Sequence, residues 1–197
     1  MPQHDDLELP RAFAALVLAH GLADRFGLAL MRREPPLPPG HVYVETEASD
    51  RTLEIRVMPE GGHPAWTHTL WCVDRREPGT AALRAVQPCI HIGELREPAQ
   101  NYVDPAACPA FVRDFLALMA AHDPEGRYAL TRVHRHFAMA GHEVLLEGLP
   151  KDSTVQMGVV DRSAVGDAQP AAWYAHGGAA VPYTTVVQYR ARASVDG

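Results

Sequence analysis

Residues 11–59 read RAFAALVLAH GLADRFGLAL MRREPPLPPG HVYVETEASD RTLEIRVMP, and residues 113–161 read RDFLALMA AHDPEGRYAL TRVHRHFAMA GHEVLLEGLP KDSTVQMGVV D. Laid over one another they need no gap, and matched positions include Phe13 with Phe115, His20 with His122, Arg25 with Arg127, Leu28 with Leu130, Glu45 with Glu147 and Val57 with Val159. Chance similarity rarely runs so far without an insertion, so the stretch reads as a tandem duplication. The expected fold class is α+β: two copies of a helix followed by an antiparallel meander of three to five strands, related by a pseudo-two-fold axis. On that reading residues 1–92 form the first repeat, 93–109 a proline-rich connector and 110–197 the second repeat, the two halves packing as one compact unit.

Within each copy the pattern changes period in the same order. Pro10–His20 and Ala110–His122 space Phe13, Leu16 and Val17, or Phe115, Leu118 and Met119, as one face of a helix, each preceded by a proline suited to a first turn. Period-two alternation then marks Phe26–Glu34, His41–Glu47 and Thr52–Met58, and again Tyr128–Phe137, Glu143–Gly148 and Thr154–Val160. Asp50 and Asp152 fall where adjacent strands must turn. Downstream, Ala65-Trp66 matches Ala172-Trp173 and Val86-Gln87 matches Val187-Gln188, which predicts two more strands per copy.

Composition limits the function classes. Apolar residues make up 47% of the chain, enough for a substantial core, while the net charge of −6 comes with no Lys/Arg stripe, which argues against a nucleic-acid surface. No apolar run approaches the ~20 residues needed to cross a bilayer, and the acidic start, Met1 to Glu8, does not resemble a secretory leader. Cys72, Cys89 and Cys108 form no CxxC pair, as expected of a reducing compartment, so a cytoplasmic location is expected. No GxGxxG, P-loop, GxSxG or HExxH motif is present.

The strongest chemical signal is Val133-His134-Arg135-His136-Phe137 followed by Gly141-His142-Glu143 and Glu147. On a strand His134 and His136 share a face; if a hairpin sets His136 against Glu143, Arg132 then opposes Glu147. His134, His136 and Glu143 are thus the expected ligands of a divalent metal (Zn, Fe, Mn, Cu or Ni), serving as Lewis acid or redox centre, with Arg132, Glu147, Trp173 and Tyr183 as the expected small-ligand contacts. The competing reading makes the same residues polar sheet contacts of a non-catalytic binding or assembly protein. In the first copy Arg32, Glu34 and His41 stand at the places of His134, His136 and Glu143.

Other recurrent residues have structural readings. His20 and His122 are expected to sit at helix ends where a cation is favoured, and Arg25 and Arg127 to contact Glu45 and Glu147. Cys89 and His91 lack the second close pair that zinc sites show, and Trp66, Trp71, Trp173, Tyr174, Tyr183 and Tyr189 are core or pocket aromatics. The run from Arg127-Tyr128-Ala129-Leu130 through His134-Arg135-His136 to Gly141, Glu143 and Glu147, with Ala172-Trp173 and Pro182-Tyr183, resembles uncharacterised fungal and bacterial proteins that carry an HRH-type strand before a Gly–Glu hairpin. The resemblance covers chiefly the second half and implies no reaction.

Overall fold

Among the described residues, two amphipathic helices and ten strands arise where the period changes. In the computed structural model, which describes residues 8–32, 36–48, 51–61, 66–77, 80–90, 103–133, 139–176 and 183–192, helix α1 spans Glu8–Ala19 and helix α2 Pro109–His122. Pro109 occupies the first turn of α2, where its missing N–H costs nothing. The strands are β1 (Phe26–Leu30), β2 (His41–Glu47), β3 (Thr52–Pro59), β4 (Trp66–Glu77), β5 (Thr80–Ile90), β6 (Tyr128–Arg132), β7 (Glu143–Glu147), β8 (Thr154–Asp161), β9 (Gln169–His176) and β10 (Tyr183–Arg190). Asp152 and Ser153 turn β7 into β8 with φ of 49° and 62°, the left-handed pair that a two-residue hairpin requires.

The strands close on themselves in the order β1-β6-β4-β5-β2-β3-β8-β7-β10-β9, with β9 returning to β1. This overturns the expected α+β fold of repeated helix-plus-meander units: the protein is mostly β, one closed barrel with two helices on its outside. Consecutive strands pair as antiparallel hairpins at β2–β3, β4–β5, β7–β8 and β9–β10, but the remaining links of a meander, β1–β2, β3–β4, β6–β7 and β8–β9, are not made among the described residues. β1 pairs with β6 and β9 instead of β2, while β2 runs parallel to β5 and β7 parallel to β10. The reason is edge satisfaction: a free meander presents unpaired N–H and C=O groups at both edges, whereas the ring pairs them all. Residues that match in the sequence therefore meet across one barrel and not in two units. Leu28 stands opposite Leu130, Leu53 opposite Met157 and Ile55 opposite Val155.

Residue size sorts the two faces of the wall. Phe26, Leu28, Tyr128, Leu130, Trp71 and Trp173 point outward and pack under Phe13 and Val17 of α1 and Phe111, Phe115 and Met119 of α2. Phe26 stacks on Phe111 with centroids 5.3 Å apart, and Phe13 meets Phe115 edge-on at 6.1 Å. The intervening positions, Gly27, Ala29, Ala129, Thr131 and Ala172, face inward and are small. A second apolar cluster of Tyr43, Leu53, Ile55, Val155 and Met157 fills the far side of the barrel. His20 and His122 do not act as helix caps alone: His20 Nε2 lies 3.1 Å from Asp114 of α2, and His122 Nδ1 3.6 Å from Glu8 of α1, so the two helices are cross-bridged. Among the described residues no helix is long and apolar enough to cross a membrane.

Candidate functional site

Small inward residues on β1, β6 and β9 leave the barrel centre unfilled. A cavity of about 250 Å³ lies between Ala29, Leu70, Thr131, Leu145, Met157, Ala172, Tyr174 and Val187. Ten strands enclose a wider lumen than eight, whose interior is just filled by side chains or holds one small ligand. At one end the lining includes the exposed residues Ala140 and Gly141, together with Glu143, Arg162, His176 and Thr185, which makes this end the mouth. Tyr174 reaches the lumen because Gly27 opposite it has no side chain: a Cβ there would stand 2.6 Å from Tyr174 Cδ1 and 2.9 Å from the Trp173 carbonyl oxygen.

The other end is floored by a buried polar network. The Glu147 carboxylate, 2% exposed, accepts two hydrogen bonds from Arg32, at 3.0 Å from Nε and 3.0 Å from Nη2. Arg190 Nε donates to it at 2.9 Å and Gln188 Nε2 at 2.9 Å. Arg32 Nη1 donates to Gln87 Oε1 at 3.2 Å, and Gln87 Nε2 donates to Glu45 Oε2 at 2.6 Å. Arg190 spends its remaining donors on the carbonyls of Met31 and Leu30 at 3.2 Å each. Burial pushes the Glu147 carboxyl up, but the Arg32 and Arg190 guanidiniums outweigh it and hold the group below the ordinary carboxylate range. Burial likewise raises the phenol of Tyr43, whose ring lies 5.3 Å from the Arg32 guanidinium carbon. Two arginines against two glutamates leave this floor electrically balanced and its hydrogen-bonding capacity occupied.

The described members of the predicted site, Arg132, Glu143, Glu147 and Trp173, are not gathered in one place. Arg132 stands opposite Phe26 at the end of β6, whereas Glu147 stands opposite Met157 and Arg190, so no β6–β7 hairpin sets Arg132 against Glu147. Arg132 is buried on the strand face of Tyr128 and Leu130, away from Thr131 and the lumen. Glu143 is claimed by Arg51, which donates at 2.9 and 2.7 Å, and by the Ala140 N–H at 2.7 Å; these contacts hold its pKa at about 2. His134 and His136 lie outside the described residues, as do Glu34 and His91. Trp173 is 4% exposed and packs outward against Tyr128, while Tyr183 begins β10 opposite His176, its side chain outside the described set. Glu45 and Glu147 also take different partners from those expected: Arg25 pairs with Asp24, and Arg127 with Asp123 and Glu125.

Nothing among the described residues supports the metal-binding expectation, two of whose three ligands, His134 and His136, lie outside them. Among the described residues no group of three or more His, Cys, Asp or Glu side chains is arranged to hold a metal ion. Glu143, the described member of the expected triad, already has its charge neutralised by a guanidinium. Cys72 and Cys108 are free thiols, and burial raises the pKa of Cys72, as for a packed and unreactive side chain.

No family model, curated protein or solved structure matches this chain. Its chemistry therefore has to be read from the barrel itself. Sequence reasoning missed the lumen because it looked for a donor cluster, although the alternation of large and small residues in FGLAL, YALTR and AAWYA carries the signal. It also missed Gly27, Gln87, Gln188 and Arg190, which acquire their roles only through long-range pairing.

Proposed function

We propose that this protein binds a small, predominantly apolar organic molecule inside the barrel, entering past Ala140 and Gly141. The observation that carries the reading is the cavity of about 250 Å³, whose middle is lined by Ala29, Leu70, Leu145, Met157, Ala172 and Val187 between a polar floor and a polar mouth. An apolar cavity of roughly 150 Å³ already takes up benzene, so this lumen has room for one ring and its substituents. It lies just below the usual range for ligand pockets, roughly 300–1,000 Å³, which favours a compact ligand. The satisfied Arg32–Glu147–Arg190 floor supports holding over turnover, since its donors and acceptors are committed to one another. The competing reading of polar sheet contacts is favoured at Glu143 and Glu147 individually, by their arginine partners.

The test is a thermal-shift screen of ring compounds, neutral and charged, against the wild type and against Ala172→Leu, which puts a branched side chain into the lumen. The reading expects saturable stabilisation of the wild type by one or more ring compounds, by RT ln(1 + [L]/Kd), and its loss in Ala172→Leu at unchanged fold. Stabilisation that survives Ala172→Leu unaltered places the ligand elsewhere and contradicts the proposal.

A further inference from the structure

The charges around the lumen do not all cancel. At the floor Arg32 and Arg190 face Glu45 and Glu147, and at the mouth Glu143 is held by Arg51. Arg162, which opens a short helical turn after β8, lines the same mouth. Its two nearest acidic neighbours along the chain pairing are both committed. Asp161 accepts from the N–H and the hydroxyl of Ser163, at 2.8 and 2.6 Å, and Glu143 accepts from Arg51 and Ala140. The backbone N–H of Arg162 donates to the His142 carbonyl at 2.8 Å, fixing its main chain, while its guanidinium has no hydrogen bond or ion pair among the described residues. The side chain is only partly exposed.

A planar guanidinium at the mouth of an apolar lumen suits one ligand design: a carboxylate at one end and a compact hydrocarbon body at the other. Resting on the lumen being a binding site, we infer that the ligand is a small apolar monocarboxylate, such as an arylalkanoic acid, with its carboxylate on Arg162 and its ring between Ala29, Leu70, Ala172 and Val187. Arginine matches a carboxylate with two parallel N–H···O bonds, and such charge-assisted bonds are stronger than neutral ones. The balanced floor contributes the complementary preference, because a charged group pushed to the far end would have to break a satisfied pair.

Calorimetric titration of phenylacetate and of its neutral amide, 2-phenylacetamide, separates this inference from the reading beneath it. The wild type is expected to bind phenylacetate roughly tenfold or more tightly than the amide, the discrimination of one charge-assisted contact. Arg162→Ala should bring phenylacetate down to the amide's level without changing the amide, and Arg162→Lys should restore part of the preference. Equal binding of acid and amide by the wild type, or an acid preference that survives in Arg162→Ala, overturns the carboxylate assignment while leaving the lumen a binding site. Failure of both compounds to bind overturns the two readings together.

Discussion

Replacing Glu147 by alanine tests whether the barrel floor is an interlocked unit. In the wild type this carboxylate accepts two bonds from Arg32, one short bond from Arg190 and one from Gln188, and it is 2% exposed. Truncation leaves the Arg32 guanidinium, itself 8% exposed, with Gln87 as its one remaining side-chain acceptor among those described, and leaves Arg190 with only the carbonyls of Leu30 and Met31. Removing one partner of a buried ion pair typically costs about 3–5 kcal/mol, because the other charge remains in a poorly solvated place. The surviving Gln87 and carbonyl contacts put the expected loss at the lower end, about 3 kcal/mol. With a urea m-value of about 2 kcal/mol per molar, the unfolding midpoint should fall by about 1.5 M, read by circular dichroism or tryptophan fluorescence. Glu147→Gln keeps the shape and one acceptor and should lose less. A midpoint shift below about 0.3 M for Glu147→Ala would mean instead that water solvates both arginines and that the floor is not interlocked.

Two further perturbations probe the walls and the mouth. Gly27→Ala places a Cβ against the Tyr174 ring at 2.6 Å and a backbone oxygen at 2.9 Å, so it should cost about 1–3 kcal/mol; Tyr174→Ala in the same chain should recover only part, because the oxygen contact remains. A Gly27→Ala variant as stable as the wild type in urea would show that Tyr174 does not pack on this glycine. The Glu143 carboxyl is held at about 2 against an ordinary 4.5, chiefly by the Arg51 hydrogen bonds, so its contribution is present above 4.5 and is lost as the pH falls through about 2. Thermal midpoints of wild type and Glu143→Gln should therefore differ near neutral pH and converge in that acid window; a difference that persists at full strength below it contradicts the ion pair.

How much of this was legible in the residues depends on the range of the interaction. The helices and the cores of the strands follow from local period: Phe13, Val17, Phe115 and Met119 lie on the helix faces that the spacing marks, and Leu53, Ile55, Val155 and Met157 share the buried face expected of them. Pairing does not follow from period. Nothing in the FGLAL segment says that it will lie beside YALTR and AAWYA, more than a hundred residues away, and not beside HVYVETE, which follows it. Among the described residues β6 ends at Arg132, and the predicted continuation of the alternation through His134 to Phe137 lies outside them. The downstream alignment slipped at irregular positions. Trp71 pairs with Leu130 as Trp173 pairs with Leu28, so Trp71, and not Trp66, is the counterpart of Trp173. The glutamates were visible as a recurring pair, but their arginine partners come from segments that only the closed barrel brings together.

Whether the barrel lumen accepts a small organic molecule can be seen in crystals grown or soaked with 4-bromobenzoate. The heavy atom reports position without reference to affinity or stability. One ordered anomalous peak is expected inside the lumen, among Ala29, Leu70, Ala172 and Val187, with the carboxylate toward Arg162. Bromine found only on the outer surface or between the helices and the barrel wall, with the lumen closed by its own side chains, would contradict binding in the lumen.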